Sequence, residues 1–146
     1  IIFHCGNPFE HWFEITLAIG AAALNTYLEF DAWIHPGRRS EEEMVRRLAK
    51  TRDKVGAHRI TFGTDFQCSP SNWGDRRADD YVRHVDFWKE LPKPALKYGV
   101  NVSQEEVDLM MGLNLGRLLG VVDMPEYTKK RKYGWSILMP RPMPTP

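Results

Sequence analysis

Three short apolar runs alternate with longer helix-like segments along most of this chain, and this alternation limits the fold more than any other feature of the sequence. Alternating strands and helices are typical of βα units, whose strands lie parallel in one sheet. Strands that are buried on both faces of such a sheet are short and largely apolar, as these runs are. The predicted strands are Ile1–His4, Thr26–Asp31 and Arg59–Thr64.

Helix starts are marked at two places by the spacing of a capping box. Ser40 stands three residues before Glu43, and Ser103 stands three residues before Glu106, so each serine can satisfy a free N–H group of the first turn. Proline is expected to end one helix at Pro92. The predicted helices are Glu10–Leu24, the segment from Ser40 to Gly56, Ala78–Leu91, and a helix from Ser103 to near Gly120 with Val107, Met110, Met111, Leu115 and Leu118 on one stripe.

Composition fits one α/β domain followed by an extended tail. The chain has 146 residues, of which 42% are hydrophobic, so a core can form. Its net charge of +1 lacks the basic excess of nucleic-acid-binding proteins, and no apolar run approaches the roughly 20 residues that span a bilayer. Residues 1–123 are predicted to form the domain. The Pro-rich residues 124–146 are predicted to form an extended arm that either packs on a neighbouring protomer in an oligomer or is mobile.

Three parallel strands alone would leave two open sheet edges and half of a core exposed to water. The chain also begins inside a predicted strand. We therefore expect the rest of a larger α/β structure to come from another chain or from a segment outside this sequence. Two cysteines, Cys5 and Cys68, cannot form a disulfide framework, and this favours a reducing, cytoplasmic location.

Each predicted strand ends on polar side chains, and active sites of parallel α/β folds form at that end of the strands. His4 and Asp65 end the first and third strands, and Glu29 and Asp31 lie on the second. A histidine can bind a metal or act in proton transfer, and an aspartate can bind a divalent metal and accept a proton from water. Their occurrence at the same end of successive strands favours an active site.

Structural interpretations remain open for each of these residues. His4 would also fit a core histidine that bonds a backbone carbonyl, and Asp65 would fit a cap of the following loop. Glu29 and Asp31 could bind substrate at the mouth of a barrel, or could instead pair with Arg38 and Arg39.

Other reactive side chains are assigned structural roles. A nucleophile pair of Cys5 with His4 is disfavoured, because neighbouring residues of a strand point to opposite faces. His84 is expected on the surface of its helix, His58 in a structural position, and His35 in a solvated loop.

Four motifs together resemble the metal-dependent amidohydrolases of the amidohydrolase-2 type, a group that includes the aminocarboxymuconate semialdehyde and resorcylate decarboxylases. "IIFHCGNPF" (1–9) resembles the end of barrel strand six, and "NTYLEFD" (25–31) is similar to strand seven. "AHRITFGTDFQ" (57–67) resembles strand eight, and "NLGRLLGV" (114–121) resembles the closing helix. The resemblance implies the C-terminal portion of a (β/α)8 barrel that carries strands six to eight.

The same resemblance implies roles for two residues. Asp65 matches the strand-eight aspartate, which binds the metal or carries the proton, and His4 matches the strand-six histidine, which helps catalysis. The family also uses an HxH pair on strand one and usually a histidine on strand five, and the match covers neither. The resemblance therefore implies that this chain alone cannot hold the divalent metal, for which Zn²⁺ is expected.

The function expected from these observations is metal-dependent hydrolysis or non-oxidative decarboxylation of a small carboxylate-bearing substrate. Arg38 and Arg39 follow strand seven and would pair with the substrate carboxylate. The alternative is a non-catalytic subunit that completes a barrel or acts as a scaffold. A flavodoxin-like binding module fits less well, because no strand is followed by a phosphate-binding loop.

Overall fold

The chain folds as a mixed α/β structure with a small parallel sheet, compatible with part of a barrel. The computed structural model describes residues 1–6, 9–31, 40–65 and 75–122. The strands are β1 (Leu28–Phe30) and β2 (Ile60–Phe62), and the helices are α1 (Glu10–Ala22), α2 (Glu41–Val55), α3 (Asp75–Lys89), α4 (Pro92–Lys97), α5 (Gln104–Asp108) and α6 (Asn114–Leu118). Arg38, Arg39, His35, Cys68 and the arm 124–146 lie outside the described residues.

Two of the three predicted strands pair in parallel, and the first is reduced to one bridge. β1 and β2 are in register, with Glu29 opposite Thr61. On the other side of β1, Ile2 forms a single parallel bridge to Leu28. The prediction that Ile1–His4 is a strand was therefore wrong in extent, because the chain turns away at Phe3–Gly6. The bridge and the ladder place the three segments side by side in chain order.

The sheet has one face that packs against helices and one polar face. Phe30 and Phe62 lie edge-on against the indole of Trp88 from α3, which is fully buried. Because side chains alternate along a strand, Glu29 and Thr61 point to the opposite face. The core therefore lies between the sheet and its helices, and the polar face is left to the site described below.

Two helix predictions are confirmed, each with a detail that the sequence pattern did not show. α3 ends at Lys89, ahead of Pro92 as predicted, and Pro92 itself begins α4, since proline at a first helical position loses no hydrogen bond that the helix needs. The helix predicted after Ser103 is continuous from Gln104 to Leu118, and a π-helical turn over Leu109–Leu113 lies between its parts α5 and α6. That turn shifts the stripe, and Leu115 is 38% exposed.

At the strand starts, three polar side chains bind the ends of neighbouring elements. The Arg59 guanidinium donates to the carbonyls of Gly20, Ala23 and Val55, at the C-terminal ends of α1 and α2. The Asn114 amide donates to Ala57 and Ile60. Arg117 completes the group by donating to the Tyr27 hydroxyl and the His58 carbonyl.

None of the helices in the described ranges is long and apolar enough to cross a membrane.

Candidate active site at the carboxyl ends of the strands

A left-handed turn presents His4 at the end of the first pairing segment. His4 and Cys5 have φ angles of 61° and 43°, and Gly6 follows at 77°. A side chain at Gly6 would meet the backbone of Trp12 and Phe13 at 2.4–2.6 Å. Only glycine lets this turn pack directly onto the first turns of α1. The turn therefore fixes His4 by packing rather than by strand pairing.

Asp31 holds the His4 ring from the end of β1. The Nδ1 atom of His4 lies 2.7 Å from Oδ1 of Asp31. The Asp31 side chain is almost fully buried, whereas that of His4 is about half exposed. The buried carboxylate therefore orients the imidazole ring through Nδ1.

Glu29 lies beside this pair on the polar face of the sheet. Its Oε2 atom accepts a hydrogen bond from the His4 backbone N–H at 3.3 Å. Burial raises the pKa of the Glu29 carboxyl to about 7, and the charge of Asp31 adds to that effect. A side chain at Gly63 would place its Cβ 1.9 Å from Oε1 of Glu29, so the strand-ending glycine makes room for this carboxylate.

Asp65 joins the group from the end of β2. Its φ of 49° is in the left-handed region, and its side chain is exposed. One ligand atom each from His4, Asp31 and Asp65 lies within 4.8 Å of the others. Three predicted site residues from three separate segments are thus brought together at one edge of the sheet.

The acidic surroundings favour a charged imidazole at His4. Partial burial opposes the charged form, but the hydrogen bond to Asp31 and the charges of Asp31, Asp65 and Glu29 outweigh it and raise the pKa of His4. A cation at this position neutralises part of the carboxylate repulsion. The cluster is therefore suited to hold positive charge, either a proton or a metal ion.

The donor set fits a divalent metal. It combines an imidazole nitrogen with two carboxylate oxygens, and catalytic zinc sites typically use three protein ligands of these types. Asp31, predicted only as a substrate-binding residue, is part of this set. The expectation that the chain alone cannot hold the metal stays a prediction.

Cys5 does not support the alternative of a nucleophilic cysteine. The residue is fully buried, and burial raises the pKa of its thiol to about 12. Since the thiolate is the nucleophile, a Cys5–His4 pair would lack its reactive form at neutral pH.

Sequence reasoning missed one residue of this region. His84 was predicted on a helix surface, and that prediction was wrong: the residue is 6% exposed. Its Nε2 atom lies 3.0 Å from the Gly63 carbonyl oxygen, and its ring stacks on Phe62. A histidine three turns into a helix gives no local signal of this contact, because the contact depends on how α3 packs.

Comparison with known proteins gives one match. A family model described as amidohydrolase matches residues 1–121, which is most of the chain. No curated protein and no solved structure matches the chain at the significance required of a relative.

Proposed function

Because the chain belongs to the amidohydrolase family, we propose that it supplies part of the active site of a metal-dependent hydrolase or non-oxidative decarboxylase. The convergence of His4, Asp31 and Asp65 within 4.8 Å at the carboxyl ends of parallel strands carries this proposal. The proposed activities include that of decarboxylases of the aminocarboxymuconate semialdehyde type. The substrate would be a small molecule that bears a carboxylate.

The three residues take different roles. A bound divalent ion, with Zn²⁺ as the first choice, would supply an activated water or polarise a substrate oxygen. Asp65 is exposed, so its carboxylate can ligate the ion and can accept and return a proton. Asp31 is buried, holds the His4 ring through Nδ1 and offers a second carboxylate to the ion, and His4 would contact the ion or a substrate oxygen.

Electrostatics limits the choice of substrate. Three carboxylates, those of Glu29, Asp31 and Asp65, surround one histidine, and an anionic substrate needs more positive charge than this group offers. We assign that charge to the ion and to Arg38 and Arg39, whose guanidinium groups suit bidentate pairing with a carboxylate. Glu29 would face the substrate, with its protonation varying near neutral pH.

A further βα segment would complete the barrel and the ligand set. Along α1, Glu10 and Glu14 pair with residues of α2, and the opposite side carries an exposed apolar row: Trp12, Ile15 and Ile19. A further parallel strand beyond the Ile2 bridge, together with its helix, would cover such a row. We propose that the strands preceding strand six occupy this side, and that the arm 124–146 contacts a neighbouring protomer.

The test is metal binding by the assembled protein, that is, this chain together with the segment or partner chain that completes the barrel, and by its variants. Co²⁺ is added, and its visible absorption reports both affinity and ligand geometry. Asp65→Asn and His4→Asn are each expected to weaken Co²⁺ binding by at least about tenfold. The matched control is Asp53→Asn, which removes an exposed carboxylate that pairs with Arg52 on α2. If Asp65→Asn binds Co²⁺ as the unmodified chain does, the assignment of Asp65 fails.

A scaffold role is the second candidate. It is favoured by the exposed apolar row on α1, which a partner chain would cover even if the site had no activity. Native mass spectrometry of the purified material separates the two. A divalent ion bound to the chain or to its complex supports the enzyme. The scaffold role is supported if the complex of two chains contains no ion and the turnover of that complex is unaffected by Asp65→Asn.

A further inference from the structure

The corner between β2 and Asp65 is held by contacts on three sides of one residue, Gly63. Its N–H donates to the Phe30 carbonyl at 3.2 Å, which extends the sheet ladder past the end of β2. Its α-carbon lies against the Glu29 carboxylate, which leaves no space for a side chain. Its carbonyl oxygen faces the His84 ring, whose Nε2 atom is 3.0 Å away.

His84 reaches this corner from the helix side of the sheet. It lies on α3, is 6% exposed, and stacks on Phe62 with ring centroids 5.3 Å apart and an interplanar angle of 24°. A buried imidazole is costly unless its polar atoms are satisfied. The hydrogen bond that Nε2–H of His84 donates to the Gly63 carbonyl meets that need. It also fixes the direction of the Gly63 peptide group.

That direction decides where the chain goes next. Only Thr64 separates Gly63 from Asp65, and Asp65 has a left-handed backbone that costs about 1–2 kcal/mol for a residue with a side chain. Such a conformation persists only where its surroundings hold it. Among the three contacts of Gly63 given above, the one with His84 comes from outside the sheet, so it ties the Asp65 corner to α3.

We infer that His84 is a positioning residue for Asp65: its Nε2–H bond to the Gly63 carbonyl holds the left-handed corner that aims Asp65 at His4 and Asp31. This role lies outside the metal ligand set and the predicted substrate contacts. It rests on the proposed function only for the consequence at the metal, since the contact of His84 with Gly63 is part of the fold itself.

Three variants separate the hydrogen bond from packing. His84→Phe keeps a ring against Phe62 but removes the donor. His84→Gln restores a donor, because its amide nitrogen is as many bonds from the α-carbon as Nε2 of histidine. The control is Trp88→Phe, a change on the same helix that removes packing against the same Phe62 without touching Gly63.

The first readout is amide hydrogen exchange of Gly63, Thr64 and Asp65 in the metal-free full chain, followed by NMR. Exchange at these amides is expected to be about tenfold faster in His84→Phe, close to the unmodified rate in His84→Gln, and unchanged relative to the rest of the sheet in Trp88→Phe. Equal exchange in His84→Phe and the unmodified chain would overturn the inference. So would a change of equal size in Trp88→Phe.

The second readout is Co²⁺ affinity. His84→Phe is expected to weaken binding by about 10- to 100-fold with an altered absorption band, and His84→Gln to recover most of the loss. If Asp65→Asn leaves Co²⁺ binding intact, the proposed function fails while the exchange result still decides the positioning role. If Asp65→Asn abolishes binding and His84→Phe does not alter it, the positioning role alone is wrong.

Discussion

The two ends of the small sheet are both polar, but their polar groups are matched in opposite ways. At the strand starts, cationic and amide donors meet backbone carbonyls, and Arg59 alone binds three of them. At the strand ends, three carboxylates crowd around His4. The first arrangement satisfies its groups from within the chain, whereas the second leaves negative charge that only a cation can offset.

This difference separates stability from chemistry along each strand. Carbonyls at the C-terminal ends of α1 and α2 carry partial negative charge, so the Arg59 guanidinium is well placed there. The carboxylates are matched less fully, since Asp31 has the His4 ring and Glu29 has the His4 backbone N–H, and the raised pKa of Glu29 records the cost of its burial beside the charge of Asp31. The strand starts therefore stabilise the fold, whereas the carboxylates at the strand ends cost stability, as expected if the proposed site is correct.

The largest expected effect comes from the strand starts. Arg59→Leu removes one buried side chain and leaves three carbonyls without their donor, which should lower the free energy of unfolding by about 3–5 kcal/mol. Urea denaturation followed by circular dichroism measures it. Arg46→Leu, at an exposed pair with Glu42, is the control and should change stability by less than about 1 kcal/mol. Equal losses of stability in the two variants would contradict the view that the polar groups at the strand starts stabilise the fold.

At the strand ends, removing charge should stabilise the metal-free protein. The pKa of Glu29 is about 7 in the folded state and ordinary in the unfolded state, so the folded state binds more protons between these values. Stability therefore falls as pH rises through this window, and the full penalty is present above about pH 7. Glu29→Gln should then add about 1–2 kcal/mol at about pH 8 and almost nothing at about pH 4.

Chelator-treated protein and thermal unfolding at both pH values test this prediction. The control is Glu14→Gln on α1, because Lys50 donates a hydrogen bond to the Glu14 carboxylate and lowers its pKa. Glu14 is exposed, so its replacement should have a small effect of opposite sign. A loss of stability in Glu29→Gln at the higher pH would show that the carboxylates are not in conflict.

The smallest expected change in stability concerns one hydrogen bond at the strand starts, between Arg117 and Tyr27. Tyr27→Phe removes the hydroxyl that accepts from Arg117 at 2.8 Å, while Arg117 keeps the His58 carbonyl as a second acceptor. We expect a loss of about 1 kcal/mol. A double-mutant cycle with Arg117→Met should give a coupling of about 0.5–1 kcal/mol, and a coupling of zero would remove Tyr27 from the stabilising group.

Local sequence patterns predicted the element boundaries best where the signal was itself local. Ser103 and Glu106 form the complete capping box that their spacing indicated. Ser40 accepts from the Glu43 N–H as expected, but the Glu43 side chain bonds Arg47 instead of the cap. The motif at Ser40 is therefore only half formed, because the cation of Arg47 in the same helix takes the Glu43 side chain.

The site was predicted in part. The alternation of strands with helices, and the position of His4, Asp31 and Asp65 at strand ends, follow from the sequence, because parallel strands bring their carboxyl ends to one edge. The strand-like interpretation of Ile1–His4 failed, since the packing of Gly6 on α1 turns the chain after Ile2. His84 failed for the same kind of reason, since its contact spans 21 residues.

The sequence by itself determined the βα order, the helix starts, the amidohydrolase family and the acids at the strand ends, because each depends on residues close together in the chain or on a motif. Only the tertiary structure decided that Asp31 contacts the His4 ring, that the Glu29 carboxylate packs directly on Gly63, and that His84 bonds the Gly63 carbonyl before Asp65. These contacts join segments 21 to 34 residues apart, and their geometry is set by how helices pack on the sheet rather than by any local preference of the chain.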